Sequence, residues 1–339
     1  MHRDTRRASS NNALNRQFRV TESSEPLVGR RRGSVDDAPQ TEPPLTRSLC
    51  EYASEGDAAS LKRALATNYP DERDGSGCPA LALAVANGHS GAVDVLLAAG
   101  ASVDLPKVPE GATPLFVACA LGHFECVQTL VASGANVNAA KATTGATPLF
   151  VACQKGRVDI VGRLLQANAD ANQARDTGAT PLYIACAQNQ PLVVDRLLQA
   201  GARPALATHD LGATPLLIAC EENHVDCVRR LLRAHEMGTA HVDLNQRSKA
   251  GATPLFVACQ HGRPEVVRRL LLAGADAARA FEGVTPLEKA RAKGHAACAE
   301  LLEDPPRHPN APADPSARAS HRTAADEEDV IRRRKGERG

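Results

Sequence analysis

The chain has 339 residues, of which 43% are apolar and 3% aromatic, with no tryptophan and a formal net charge of +1. That length admits two ordinary domains or one long array. The balanced charge gives no reason to expect nucleic acid, a membrane surface or a strongly charged substrate as partner, and no apolar run is long enough for a transmembrane helix.

Residues 1–45 are rich in Arg, Ser, Pro and Asn and poor in large apolar groups. Such a segment cannot bury enough surface to offset chain entropy, so a disordered N-terminal tail is expected. Its start, MHRDTRRASSNNALNRQ, is basic but has no apolar stretch behind it, so no secretory signal is expected. Arg-Arg-x-Ser occurs twice, ending at Ser9 and Ser34. Both resemble the substrate pattern of basophilic kinases and are candidate phosphorylation sites, where a phosphate would change the tail's charge.

The middle of the chain repeats itself. A weak copy begins near Ser48 (SLCEYASEGDAASLKRAL) and a degenerate one, GCPALALAV, at Gly77. Clean copies of G-x-T-P-L-x-x-A follow from Gly111, Gly145, Gly178, Gly212, Gly251 and Gly283, at intervals of 34, 33, 34, 39 and 32 residues. This makes about eight units, and a period of that size means stacked supersecondary units rather than one globular core. Within a unit, Thr113 predicts an N-cap and Pro114 the first helical position. Leu115, Ala118 and Cys119 then fall on one helical face. Gly122 predicts a left-handed stop, and Asn189 and Asn223 stand in its place in two units. A second helix follows, with Val127, Leu130 and Val131 at helical spacing. An acid often opens it (Glu125, Asp159, Asp226, Glu265), and Gly100, Gly134, Gly201 and Gly274 end it. The polar, turn-rich stretch that follows, such as ANVNAAKATT, predicts a projecting finger. The 39-residue interval places extra residues around His235–His241 (HEMGTAH), a candidate longer finger.

G-x-TPL-x-x-A, then G-H, V-x-x-L-L and G-A-x-x-N resemble the ankyrin repeat family, over roughly residues 46–304. The resemblance implies an all-α solenoid of stacked antiparallel helix pairs with projecting hairpin-like fingers. It also implies a concave surface, lined by fingers and first helices, that binds proteins. The family's usual His after Thr-Pro-Leu is replaced here by Phe116, Phe150, Tyr183, Leu217, Phe256 and Glu288. Apolar contact is therefore expected where the family has a polar link. The last unit is unusually polar (Glu288, Lys289, Arg291, Lys293), as a terminal cap requires.

The family's variable contact positions carry over to the helix ends Ala120–Leu121, Gln154–Lys155, Ala187–Gln188, Glu221–Glu222 and Gln260–His261. They carry over to the fingers at Pro109–Glu110, Thr143–Thr144, Asp176–Thr177, Asp210–Leu211 and Lys249–Ala250, with Lys141 and Arg175 beside them. The row runs from apolar through cationic to an acidic pair, so a protein partner of mixed charge is expected, basic opposite Glu221–Glu222.

No catalytic chemistry is expected. G-x-x-x-x-G-K-[ST], G-x-S-x-G and H-E-x-x-H are all missing. Cys119, Cys153, Cys186, Cys220 and Cys259 form one column and read as small core hydrophobes. Cys119/His123/Cys126 and Cys220/His224/Cys227 share a C-x-x-x-H-x-x-C spacing compatible with zinc or a thiol–imidazole pair, but three ligands close no structural site. His89, His123, His224 and His295 read as helix-turn residues bonding local backbone. No metal and no cofactor is expected, and ten cysteines without a secretory signal suggest free thiols in a reducing compartment.

Residues 305–339 have the composition of a second disordered tail. Arg332–Arg333–Arg334–Lys335 there is a candidate nuclear-import patch. The expectation is a monomeric, cytoplasmic or nuclear, non-catalytic scaffold. The alternative is a recruiting or regulatory subunit of a larger assembly, such as a ubiquitin ligase or kinase complex. Its assembly helix would have to come from DEEDVIRRRKG, which offers only Val330 and Ile331 as apolar anchors.

Overall fold

A computed structural model describes Leu45 and residues 47–306. The two candidate phosphorylation sites, the candidate import patch, residues 1–44 and residues 307–339 lie outside the described residues. Sixteen helices form eight pairs. The first helices of the pairs are α1 Leu49–Glu55, α3 Ala80–Ala86, α5 Pro114–Leu121, α7 Pro148–Gln154, α9 Pro181–Ala187, α11 Pro215–Glu221, α13 Pro254–Gln260 and α15 Pro286–Ala292. The second helices are α2 Ala58–Ala64, α4 Ser90–Ala98, α6 Phe124–Ala132, α8 Val158–Gln166, α10 Pro191–Gln199, α12 Val225–Glu236, α14 Pro264–Leu272 and α16 Ala296–Glu303. Each first helix packs on the first helices before and after it, and the second helices do the same, which makes two layers. No strand occurs among the described residues; the fingers hold only isolated bridges such as Lys107 with Ala112.

The repeated residues build each pair as the sequence predicts. Thr113, Thr147, Thr180, Thr214, Thr253 and Thr285 cap their helices, each hydroxyl accepting from the backbone N–H three residues on, at 3.1–3.3 Å. Proline follows each at the first helical position. Gly122 stops α5 at φ +90°, and Asn189 and Asn223 adopt φ 52° and 61° in its place. The degenerate second unit has Pro79 where the first has Ser48 and the other six have Thr, and its helix α3 has no side-chain cap.

The core lies between the two layers. Leu115, Leu149, Leu182 and Leu255 are fully buried and Leu216 nearly so, as are the alanines and cysteines three and four residues after each. From the other layer come Val127 and Leu130, Val161 and Leu164, Val194 and Leu197, and their equivalents, all fully buried. Small residues on the first helices let that layer pack closely, which is why so few aromatics suffice. Only the two end units carry capping boxes, Ser48 with Glu51 and Thr285 with Glu288. In the five units between Gly111 and Gly251 the same position is Phe, Tyr or Leu and lies wholly or mostly between neighbours, so a glutamate there would be desolvated.

Leu130→Ala, in the interior of the array, should lower the unfolding free energy by about 2–5 kcal/mol. Leu302→Ala, only partly buried at the end of the array, should cost clearly less. Urea denaturation followed by circular dichroism measures both.

Candidate functional site

The residues that vary from unit to unit gather where the first helices end and where the fingers project. At the helix ends, Ala120, Gln154, Ala187, Glu221 and Gln260 are half-buried, as is Leu121, whereas Lys155, Gln188, Glu222 and His261 are exposed. These are equivalent positions on successive first helices, so their side chains form a row. In the fingers, Glu110 and Thr144 are half-buried, and Asp176, Asp210 and Lys249 are exposed. Lys141 and Arg175 stand at the finger bases. Two apolar side chains are prominent on the fingers as well, Val108 at 47% and Leu211 at 53% exposure.

Several of these residues have structural work besides. The Leu211 amide, 2.7 Å from Asp210 Oδ1, and the Thr208 hydroxyl hold the Asp210 carboxyl below the ordinary carboxylate range. Asp210 therefore fixes its own finger. Lys249 Nζ donates to the His209 carbonyl of the preceding finger. Glu110 lies 3.5 Å from Lys141 and 3.9 Å from Lys107, bridging two successive fingers.

Fingers are joined to each other along their backbones. Asp176 N–H donates to Thr144 O at 3.3 Å, His209 N–H to Thr177 O at 2.8 Å, and Lys249 N–H to Leu211 O at 2.9 Å. Close approach explains the glycines beside them: a Cβ on Gly145, at φ +64°, would lie 2.1 Å from Asp176 Oδ1.

The turn histidines do more than the sequence suggests. His89, His123, His224 and His295 bond carbonyls of the preceding unit, Ser54, Ala86, Cys186 and Gln260, at 3.1, 3.2, 2.8 and 3.3 Å. They bridge units 35–38 residues apart rather than capping local backbone. Arg157 takes the same place, reaching Leu121 O at 3.3 Å. A further bridge replaces the missing His after Thr-Pro-Leu. Lys141 lies 5.8 Å over the Phe116 ring and Arg175 5.6 Å over Phe150, each cation coming from the next unit. Sequence reasoning expected only apolar contact there; cation–π stacking adds to it.

Of the segment His235–His241, His235 and Glu236 fall in α12, which has twelve residues against nine in its neighbours α10 and α14, and Met237–His241 follow the helix end. With α10 they border a cavity of about 490 Å³ lined by Asp195, Leu198, Gln199, Arg230, Arg233, Ala234, Met237 and Thr239. It belongs to the layer of second helices, away from the row of first-helix ends.

Among the described residues no group of three His, Cys, Asp or Glu is placed to hold a metal ion, and no helix is long and apolar enough to cross a membrane. All ten cysteines are buried and none is in a disulfide. Burial pushes the thiols of Cys78 and Cys126 up to about 11, and those of Cys50 and Cys259 up to about 12.

The family model for ankyrin repeats, described as three copies, matches residues 49–141, 139–208, 205–280 and 240–313. The crystal structure of the human ASB11 ankyrin repeat domain is similar, with a TM-score of 0.57 at 29% sequence identity. That match covers 68% of this chain and 99% of the other. No curated protein matches by sequence.

Because the folded chain holds these thiols protonated above their ordinary value of 9.0, their stabilising contribution is complete below that pH. It is lost as pH rises through 9 towards 11–12. Stability should fall by about 1.4 kcal/mol per pH unit for each thiol that ionises only when unfolded, read as a drop in urea midpoint between pH 8 and about 10.5. At pH 8 a thiol reagent should leave the native protein unmodified while it titrates all ten thiols of the denatured chain.

Proposed function

The chain belongs to the ankyrin repeat family, and we propose that it is a non-catalytic scaffold that holds a protein partner in the groove between its first-helix ends and its fingers. Ankyrin repeats are generally protein–protein interaction modules, and their fold is typically non-catalytic. The observation that carries the groove reading is the pair Glu221–Glu222. Both lie at the C-terminal end of α11, where the helix dipole disfavours negative charge by about 0.3–1 kcal/mol. The equivalent helix ends carry Leu121, Lys155, Gln188 and His261, so helix stability does not set the residue there. The carboxylate pair makes this part of the row acidic, and that chemistry calls for a basic partner segment.

The other proposed contacts extend along the same row: Leu121, Gln154, Lys155, Gln188, Gln260 and His261 from the helices, and Glu110, Lys141, Thr144, Arg175, Asp176, Asp210 and Lys249 from the fingers. Preordered repeats lose little further entropy on binding, which favours affinity. The protein acts as a monomer in the cytoplasm or nucleus, where ten unpaired thiols remain reduced. A recruiting subunit of a larger enzyme assembly would use the same groove. Its assembly segment would be residues 326–336, which offer only Val330 and Ile331 as apolar anchors, so the scaffold reading is preferred.

Affinity purification with mass spectrometry tests the groove. Glu221→Lys/Glu222→Lys and Lys155→Glu should each reduce recovery of at least one partner about tenfold or more, equivalent to about 1.4 kcal/mol. The helical circular dichroism spectrum should not change. Unaltered recovery of every partner by both variants would remove the groove from the function.

A further inference from the structure

We propose that the N-terminal half of this groove takes an extended acidic segment of a partner protein, laid across a column of three cations: Lys107, Lys141 and Arg175. The proposal rests on the groove reading and specifies the partner chemistry for its other half. The three residues are each 34 positions apart and occupy the same place at the base of successive fingers, each amide donating to the carbonyl of Ala112, Ala146 or Ala179. The column then loses its charge, with Thr208 and Ser248 at the next two positions.

The cations are held in place. Arg73 stands one residue before the column's place, and its Nη1 is committed to Gly77 O at 2.7 Å and Pro106 O at 2.9 Å. Lys141 and Arg175 rest on Phe116 and Phe150. Three acids stand among them. Asp74 Oδ1 already accepts from the Ser76 amide and hydroxyl and from the Cys78 amide, at 2.7–2.9 Å. Glu110 is shared between Lys107 and Lys141. Asp176 is exposed next to Arg175. Lys155 adds a further cation at the α7 end. Arg175 is the least satisfied member: its Nε is buried without an acceptor, and its ring contact with Phe150 uses only the face of the guanidinium. An incoming carboxylate supplies the acceptor in the plane.

Spacing selects the kind of polymer. Helices stack about 10 Å apart, so the column spans roughly 20 Å. An extended peptide rises about 3.3 Å per residue, so about six residues cover it and an acid at every third residue meets one cation. Nucleic acid fits poorly. A duplex presents a charge about every 1.7 Å, far denser than the column. A single strand needs open aromatic faces, whereas Phe116 and Phe150 are only 7% and 2% exposed.

The test is to pan a random decapeptide library on the immobilised full chain. Asp and Glu should be enriched about threefold or more at three-residue spacing. Enrichment should disappear with Lys107→Gln/Lys141→Gln/Arg175→Gln and survive the charge-keeping pair Lys141→Arg/Arg175→Lys. In fluorescence anisotropy, a selected peptide should bind about tenfold more weakly to the triple variant and weaken with added salt. Arg175→Gln alone should weaken it about threefold, which keeps the test informative if the triple variant is unfolded by circular dichroism. Selection of neutral or basic peptides, or equal selection by the triple variant, overturns the proposal. Tighter binding of a single-stranded oligonucleotide than of any selected peptide also overturns it. So does tighter binding of a synthetic peptide of residues 323–330, which would make the occupant this chain's own acidic stretch. Failure here with partner loss intact in Glu221→Lys/Glu222→Lys would leave the groove reading standing and remove only the acidic segment.

Discussion

No unit of this array can cover its own apolar side. Leu149, Ala152 and Cys153 on α7 and Val161 and Leu164 on α8 are fully buried, and the surfaces that complete their burial belong to the units before and after. The burial energy of each pair is therefore released only by stacking, and the stability of the whole is a sum of short-range terms along one axis. Two consequences follow from that geometry. The ends need polar outer surfaces, and α15 meets the need by burying only Pro286 and Ala290 while Glu288 and Arg291 stay exposed. The interior needs thin layers, and alanine and cysteine supply them at the positions where the first helices touch.

Burial alone does not fix the orientation of one unit on the next, because hydrophobic contact is non-directional. Three polar series supply direction. Turn histidines bond the preceding unit's carbonyls. Asp or Asn side chains at the second-helix exits accept from the amide of the next unit, as Asp104 does from Asn136 N–H, Asn138 from Asp170 and Asn172 from Arg203, at 2.8–3.1 Å. Aromatic residues after Thr-Pro-Leu carry a cation from the following unit. The last series is partial. Where the first residue is Phe116 or Phe150 its partner is Lys141 or Arg175; where it is Tyr183 or Leu217 the partner position holds Thr208 or Ser248. Phe256 instead meets the Phe281 ring edge-on at 5.0 Å, with Lys289 at 5.6 Å.

The fold was legible because each local signal repeats with the same meaning. Thr-Pro marks a helix start for a reason internal to four residues, and Gly122, Asn189 and Asn223 mark stops through backbone conformation alone. The inward face followed from helical spacing within one unit. What could not be read were the links between units. His123 and Ala86 are 37 residues apart, and nothing in the local sequence of either announces the other. The equal 34-residue spacing of Lys107, Lys141 and Arg175 was a usable signal, since it fixes them as one column. The rings beneath them became visible only once successive units were superposed in space. The insertion was only partly placed for the same reason: the segment His235–His241 looks like a finger, and only the length of α12 shows that its first residues continue a helix.

The joint between the units that start at Gly178 and Gly212 shows how these terms trade against one another. Ala205 stands where the other exits have Asp or Asn, so that rung of the amide series has no acceptor side chain. The same joint has the shortest of the histidine bonds, His224 to Cys186 O at 2.8 Å. It also has the Arg230–Asp195 ion pair between α12 and α10, with side chains 27% and 30% exposed, and Gln246 Nε2 donating to Ala205 O at 3.1 Å. A partly exposed ion pair is worth about 1 kcal/mol or less, similar to one neutral hydrogen bond. The substitution is thus near balance. The finger side of the joint keeps its directional bonds through other groups: Lys249 N–H to Leu211 O at 2.9 Å, Lys249 Nζ to His209 O and Gln246 Nε2 to Ala205 O. A lost side-chain acceptor is thus made good by neighbours on both sides of the stack.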